Sequence, residues 1–351
     1  LLVCVIFHIS LLFALLLGYV IFALYAIRKG FSLPEVLGMS AQGVRAAKNI
    51  LTTFVLIGIL TSLWRAGGTI PAIVCYSVRV MEPRLFLVCS FLLNCLVSFL
   101  TGTAFGSAAT MGAVCMTMAA ALGADPLMTG GAILSGVYFG DRCSPVSTSA
   151  LLVADLTGTD LFGNIRQMLR TSLVPFALAA GLYLLFGLSS PAAGQAADIA
   201  PLFALEFRLG PLPLIPAALI LVLSALRVRV KAAMLASIAA AAVLCLAYQG
   251  AAPLTLLKDA VLGFSAQSPE LATMIDGGGI VSMLQVGAIV CLSSSYSGIF
   301  QRTGLLEPIR RRIEAWGAVL SPYAAVLVTS VLASAIACNQ TLSIMLTHQL
   351  C

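Results

Sequence analysis

The chain has 351 residues, of which 60% are hydrophobic and 9% charged, and its formal net charge is +6. A soluble domain carries roughly 25% charged residues, so the composition excludes a soluble enzyme or binding module. Transmembrane β-barrels alternate apolar and polar residues, whereas the apolar runs here are continuous. At roughly 20 residues per crossing, we predict an all-α polytopic membrane protein of about ten helices.

Continuous apolar runs predict where the membrane spans lie. In chain order they are Leu1–Ile27, Ile50–Trp64, Ile70–Val78, Leu85–Leu100, Gly112–Leu122, Leu127–Tyr138, Met168–Leu188, Leu212–Leu226, Ala232–Tyr248, Ile280–Phe300 and Tyr323–Ala337. The chain begins at Leu1 inside one apolar run and stops at Cys351 inside another, so we expect a fragment of a longer protein.

Several of these runs are too short to cross alone, and polar or helix-breaking residues interrupt the apolar pattern. We predict one helix broken at Gly67-Gly68, and a second run that ends at the polar stretch 140–145. Irregular backbone at membrane depth is tolerated where it lines a cavity, and in transporters broken helices mark the binding site.

The remaining segments predict the domain organisation. The segment 31–49, which mixes polar and apolar residues, is predicted to form an interfacial helix. The Pro/Gly/Ala-rich segment 189–210 is predicted to be a linker. We therefore predict a first membrane half at 1–188 and a second, inverted and incomplete half at 211–351.

Basic residues predict the orientation of the spans. The loops near 28–49, 159–170, 227–231 and 302–314 hold 13 Lys and Arg residues, whereas those near 79–84, 189–212 and 249–279 hold 4. Cytoplasmic loops carry the excess of positive charge, so we place the first set of loops in the cytoplasm.

A weak internal repeat occurs at an offset of 236 residues. At this offset 63–68 aligns with 299–304, and 101–103 aligns with 337–339. The basic loops beside the matched breaks fall on opposite sides, so we predict an inverted repeat of the kind found in secondary transporters. Chance similarity between apolar segments is the alternative.

Three polar clusters interrupt the apolar pattern. The first, from Ser98 to Thr110, contains Thr101, Gly102, Thr103 and Ser107. Its oxygens suit a hard monovalent cation, by analogy with other hard cations, and close helix packing through small residues is the alternative. A smaller cluster with Asn339 and Thr341 is the repeat partner of the first.

Asp141, in the remaining cluster, is the strongest candidate for chemistry. An ionisable residue between apolar spans is costly and usually functional. A carboxylate there binds either a proton or a cation, and this competition is the minimal basis of proton-coupled antiport. We predict Asp141, Thr101 and Thr103 as ligands of transported Na⁺; helix capping by Asp141, or pairing with Arg142, is the alternative. Further predicted ion or substrate ligands are Ser144, Ser147, Thr148 and Asp155.

Three segments in the first half carry a family resemblance: GILTSLWRAGGTIPAIV, SFLTGTAFGSAATMGAV and GGAILSGVYFGDRCSPVSTSALL, followed by GTDLFGNIRQML. Through them the chain, from about Ile50 to Phe176, resembles the NhaC family of sodium/proton antiporters. The resemblance implies an elevator- or rocking-type carrier of inverted repeats, with re-entrant segments at a midplane site. The positions it carries over are Thr101, Gly102, Thr103, Gly106 and Ser107 in one motif, and Asp141, Ser144, Pro145 and Ser147 in the other.

The chain departs from the family pattern after Ser147. Family members commonly continue with Asp-Thr-Thr and then Asn, whereas 148–151 read Thr-Ser-Ala-Leu, and Asp155 stands where a small residue is usual. We expect a secondary Na⁺/H⁺ antiporter. The alternative is a Na⁺- or H⁺-coupled carrier or exchanger of a small organic anion or amino acid, with half-helix N-termini near Thr101 and Ser147 facing the substrate carboxylate.

Enzyme motifs are missing from the sequence. It contains no H-E-x-x-H, G-x-S-x-G or phosphate-binding loop, and Tyr138 breaks the Gly-x-Gly-Asp pattern of intramembrane aspartyl proteases. We expect no enzyme activity and no cofactor beyond the transported Na⁺ and H⁺. The expected partners are the lipid bilayer and small ions or small carboxylates, without nucleic acid, and a homodimer is left open. The expected location is the inner or plasma membrane.

Overall fold

The computed structural model describes residues 10–80, 82–145, 147–189, 200–226, 228–305, 321–337 and 340–351. These residues fold almost entirely into helices, with one isolated antiparallel bridge between Phe264 and Gly277. The predicted all-α class is therefore confirmed.

The described residues form 19 α-helices. Their bounds are α1 Leu11–Arg28, α2 Leu33–Ala46, α3 Lys48–Ala66, α4 Thr69–Val80, α5 Phe86–Thr101, α6 Ala104–Ser107, α7 Ala113–Leu122, α8 Pro126–Cys143, α9 Thr148–Thr157, α10 Leu161–Ser189, α11 Ala200–Glu206, α12 Ile215–Ala225, α13 Val230–Val243, α14 Pro253–Leu262, α15 Pro269–Ile275, α16 Gly279–Ser282, α17 Leu284–Thr303, α18 Pro322–Ala337 and α19 Gln340–Leu350. A π-helical turn, Ala108–Gly112, joins α6 to α7, and another, Leu244–Tyr248, extends α13.

Several helices are long and apolar enough to cross a bilayer. Among the described residues five stretches meet this condition: Lys48–Ala66, Pro83–Thr101, Ala104–Leu122, Leu161–Ser189 and Val230–Tyr248. Shorter apolar helices occur in 12–28, 212–223, 284–300 and 322–334. The chain is thus a polytopic membrane protein, as its composition predicts.

The predicted break at Gly67-Gly68 is confirmed. Helix α3 ends at Ala66, Gly68 takes a positive φ of 77°, and α4 starts at Thr69. Glycine reaches this region of backbone space without the strain that a side chain would add. The sequence therefore ends one helix and starts another inside an apolar stretch.

The described residues form two compact units, one from 1–52 and 284–351 and the other from 53–283. In the first unit α2 packs along α17, where Gly43 lies against the backbone of Ser294 with no room for a methyl group. In the second unit Gly58 lies in the same way against the backbone of Gly279. The division into halves around the 189–210 linker stays a prediction; α11 lies inside that segment.

The helix bounds reproduce the offset of 236 residues that the sequence indicates. Helix α3 corresponds to α17 and α5 to α18, and the start of α6 corresponds to the start of α19. Helix α2 corresponds to 269–282, the segment that α15 and α16 occupy. The glycine contacts Gly43–Ser294 and Gly279–Gly58 are equivalent at this offset as well. The repeat thus extends from helix order to helix packing, while its inverted orientation stays a prediction from charge.

Candidate functional site

Helices α5 and α8 pack closely at two glycines one turn apart. A methyl group on Gly136 would lie 2.6 Å from the Phe91 carbonyl oxygen, and one on Gly140 would lie 2.7 Å from that of Cys95. Between these glycines, Ser98 Oγ donates to the Val137 carbonyl oxygen at 2.5 Å. The last turns of both helices are therefore held side by side.

Asp141 directly follows Gly140 and lies in the last turn of α8. It is 3% exposed. Ser147 Oγ donates to its Oδ1 at 3.0 Å, and Ser149 Oγ lies 3.5 Å from its Oδ2. The carboxylate is thus buried between a helix C-terminus and two hydroxyl groups of the next helix.

The chain breaks between α8 and α9 because of Pro145. The residue before a proline avoids helical backbone, and Ser144 is extended with ψ of 134°. Ser147 then starts α9, and its Oγ accepts from the N–H groups of Ser149 and Ala150 at 3.2 and 3.3 Å. The positive end of the α9 dipole consequently lies beside the Asp141 carboxylate.

The sequence misplaces the end of α8. The apolar run predicts a helix to Tyr138 followed by a polar break from Gly140, whereas α8 continues to Cys143. Gly140 does not end the helix because it is the contact point with α5. Asp141 therefore projects from a helix rather than from an irregular segment.

The first polar cluster surrounds the junction between α5 and α6. Helix α5 ends at Thr101, Gly102 has φ of 65°, and Thr103 Oγ1 accepts from Gly106 N at 3.4 Å to start α6. Thr101 Oγ1 and Ser107 Oγ are 2.8 Å apart, and both residues are buried. Helix α6 packs against α8, so this junction and Asp141 belong to the same helix cluster.

Of the other predicted ligands, four lie at the break after α8, on α9 or on α19. Ser144 is buried at the break, and Thr148 is the first residue of α9. Asp155 is exposed further along α9, and among the described residues it has no hydrogen bond to Asp141. Thr341 lies in α19, in the other compact unit, and Asn339 falls outside the described residues.

The prediction missed two residues of the site. Ser149 reaches Asp141, and Ser98 fixes α5 against α8. A signal for Ser98 is present in the sequence, because Ser90, Asn94 and Ser98 recur every four residues and so share one helix face. All three are buried.

The donors around Asp141 suit a monovalent cation. In the part of the chain that the structure describes, no group of three or more His, Cys, Asp or Glu side chains could hold a metal ion. One carboxylate with hydroxyl donors provides a single negative charge. The Ser149 hydroxyl keeps its lone pairs for a cation while it donates its proton, whereas those of Ser147 accept from two N–H groups of α9. This set fits Na⁺ as transported cargo.

The chain resembles known transport proteins along most of its length. The family model for the Na⁺/H⁺ antiporter family matches residues 2–154 and 136–351. The chain is 29% identical to the Na⁺/H⁺ antiporter NhaC of Alkalihalophilus pseudofirmus, over 97% of this chain and 74% of that protein. It is 27% identical to the malate-2H⁺/Na⁺-lactate antiporter of Bacillus subtilis, over 96% and 74%. It is 26% identical to the arginine/ornithine antiporter ArcD of Halobacterium salinarum, over 78% and 58%.

No solved structure matches the chain significantly. The family match covers nearly the whole chain, including both polar clusters of the second unit. The chain therefore belongs to the Na⁺/H⁺ antiporter family and is a secondary active transporter of the membrane.

Proposed function

We propose that Asp141 couples Na⁺ and H⁺ in this antiporter. The observation that carries the proposal is a buried carboxylate that receives hydrogen bonds from serine hydroxyls at a helix break. An intramembrane carboxylate of this kind is a functional site by default. We place the transporter in the plasma membrane, or the inner membrane of a bacterium with two membranes.

Exchange follows from charge at this site. One carboxylate neutralises one cation, so Na⁺ and a proton compete for Asp141 and the carrier releases one before it takes the other. Ser147 and Ser149 stabilise the ionised carboxylate by donating to it, and the Ser149 hydroxyl keeps its lone pairs for Na⁺. The N-terminus of α9 also favours the negative charge.

The test is exchange in proteoliposomes that contain a pH-sensitive dye. Na⁺ added to vesicles with a pre-formed pH gradient should collapse that gradient, with Li⁺ and K⁺ added in parallel to measure selectivity. Asp141→Asn should abolish the collapse at normal reconstitution. A variant that exchanges Na⁺ at the wild-type rate would remove Asp141 from the coupling role.

A second candidate function is the exchange of a small carboxylate together with Na⁺ or H⁺. One relative is named for malate and lactate and another for arginine and ornithine. All four compounds carry a carboxylate. The break between α3 and α4 favours this candidate, because a buried arginine nitrogen and a helix N-terminus lie there.

A further inference from the structure

The break between α3 and α4 buries a helix N-terminus. Thr69 and Ile70 begin α4, and both are 0% exposed. The first N–H groups of a helix have no acceptor within that helix, and Pro71 has no N–H at all. The α4 N-terminus thus places partial positive charge inside the second compact unit.

Thr69 adds a buried donor at the same point. Among the described residues its Oγ1 has no hydrogen-bond partner. Buried hydroxyl groups are normally paired, because an unpaired one is costly. An oxygen-bearing ligand at the α4 N-terminus would satisfy this group together with the backbone N–H groups.

Arg65 brings a permanent charge to the break. It lies one turn before Thr69 in sequence, and its Nη1 donates to the Thr61 carbonyl oxygen at 3.0 Å. Within the part of the chain that the structure describes, its Nε is buried without a partner. The guanidinium has five donors in a fixed fork that matches a carboxylate. Most of these donors remain available for a ligand.

The carboxylate that acts electrostatically on Arg65 is already engaged. Asp276 interacts with Arg65 through charge. Its oxygens, however, accept from Ser265 Oγ at 3.1 Å and from Ala266 N at 2.7 Å. Asp276 therefore stabilises its own turn, and among the described residues no hydrogen bond joins it to the Arg65 guanidinium.

Polypeptide covers the break on more than one side. Ser62 Oγ donates to the Asp259 carbonyl oxygen at 2.6 Å, and a methyl group on Gly278 would lie 2.6 Å from Ser62 N. Gln249 Nε2 donates to the Gly67 carbonyl oxygen at 3.2 Å. Broken backbone at membrane depth is tolerated in such a protein-lined environment, and there it forms binding sites in transporters.

We propose that Arg65, Thr69 and the first turn of α4 bind the carboxylate of a small organic anion that the carrier exchanges. The guanidinium binds two carboxylate oxygens, the Thr69 hydroxyl donates to one of them, and the helix N-terminus stabilises the charge. The inference rests on the second candidate function, carboxylate exchange, and assigns the substrate group to residues outside the Asp141 cluster.

The test uses L-malate and L-lactate as probes in proteoliposomes and in detergent. Arg65→Gln should lower radiolabelled malate uptake more than tenfold. Arg65→Lys should keep part of the uptake, because lysine has the charge without the fork. Thr69→Val should raise the half-saturating malate concentration several-fold while that of Na⁺ changes less than threefold. Arg84→Gln is the matched control, since it removes an exposed arginine of the same unit.

Thermal unfolding separates this inference from the role of Asp141. Malate should raise the unfolding temperature of both the wild type and Asp141→Asn, and leave that of Arg65→Gln unchanged. Wild-type malate uptake by Arg65→Gln, or a wild type that malate and lactate neither stabilise nor use for exchange, overturns the proposal. If Arg65→Gln fails to fold, Arg65→Lys and Thr69→Val decide, and unchanged malate affinity in both overturns it.

Discussion

Ser147 connects Asp141 to the helix that follows it. The Ser147 hydroxyl donates to Asp141 Oδ1 at 3.0 Å, and Ser147 Oγ also accepts from two N–H groups in the first turn of α9. The carboxylate and the start of α9 therefore share one side chain. Movement of α9 would alter the hydrogen bonding of Asp141, and a change in the charge of Asp141 would alter the cap of α9.

This shared side chain predicts two effects of Ser147→Ala. Loss of the cap should lower the stability of the protein by about 1 kcal/mol, and loss of the donor should raise the half-saturating Na⁺ concentration. Ser147→Thr keeps an oxygen at the cap and should retain most of the stability and most of the apparent Na⁺ affinity. Denaturation in detergent and Na⁺-dependent pH-gradient collapse measure the two effects. Unchanged Na⁺ dependence in a stable Ala variant would contradict the role of Ser147 at the ion site.

Substitutions of Asp141 itself distinguish an ion ligand from a structural residue. Asp141→Glu should retain part of the exchange with a shifted pH optimum, because the longer side chain changes both the ligand geometry and the environment of the carboxyl. Asp141→Asn should retain none, although it folds and inserts. If Asp141 served only as a cap, the ranking would reverse, since Asn caps as well as Asp. The measurement is the pH profile of exchange at saturating Na⁺.

Gly140→Ala should separate helix packing from charge. The added methyl group would meet Phe99 N at 2.5 Å and the Cys95 carbonyl oxygen at 2.7 Å, and overpacking of this kind typically costs about 1–3 kcal/mol. Since Asp141 is the next residue, exchange should fall as well. Gly130→Ala is the matched control on α8, where a methyl group would meet no atom of the described residues within 4 Å. Equal stability of the two variants would show that α8 shifts without cost.

The sequence predicts helix order and the repeat well because both follow from local patterns. Apolar run length identifies a crossing, and glycine pairs identify breaks such as the one at Gly67-Gly68. The offset of 236 found between short polar segments also relates the bounds of α3 and α17. The bounds of each of these helices depend on residues close together in the chain.

The details of the site depend on contacts between distant residues, which one sequence does not reveal. The polar stretch that starts at Gly140 has the composition of a helix end. Helix α8 nevertheless continues through Gly140, because α5 packs on this residue. The grouping of 1–52 with 284–351 likewise depends on packing between segments far apart in the chain, as between α2 and α17. The local sequence pattern therefore identifies Asp141 as a candidate residue, but it does not predict that Asp141 lies in the last turn of α8.

Asp155 offers a test of whether a second carboxylate takes part. It is exposed on α9, and Ser149, the α9 residue that reaches Asp141, lies six positions earlier, nearly two turns away at 3.6 residues per turn. We expect Asp155→Asn to keep most of the exchange activity. Loss of exchange comparable to that of Asp141→Asn would show that Asp155 replaces the carboxylate that the family pattern places after Ser147. Initial rates of pH-gradient collapse at equal reconstitution measure the difference.

The orientation predicted from basic residues is tested by two single cysteines in a cysteine-free background. Lys258 on α14 and Val228 before α13 are both exposed, so a difference in labelling reports the side of the membrane rather than burial. Because basic residues concentrate in cytoplasmic loops, a membrane-impermeant maleimide added to intact cells should label Lys258→Cys and leave Val228→Cys unlabelled. Both should react after the membrane is permeabilised. Labelling of Val228→Cys in intact cells would reverse the orientation and remove the charge argument for an inverted repeat.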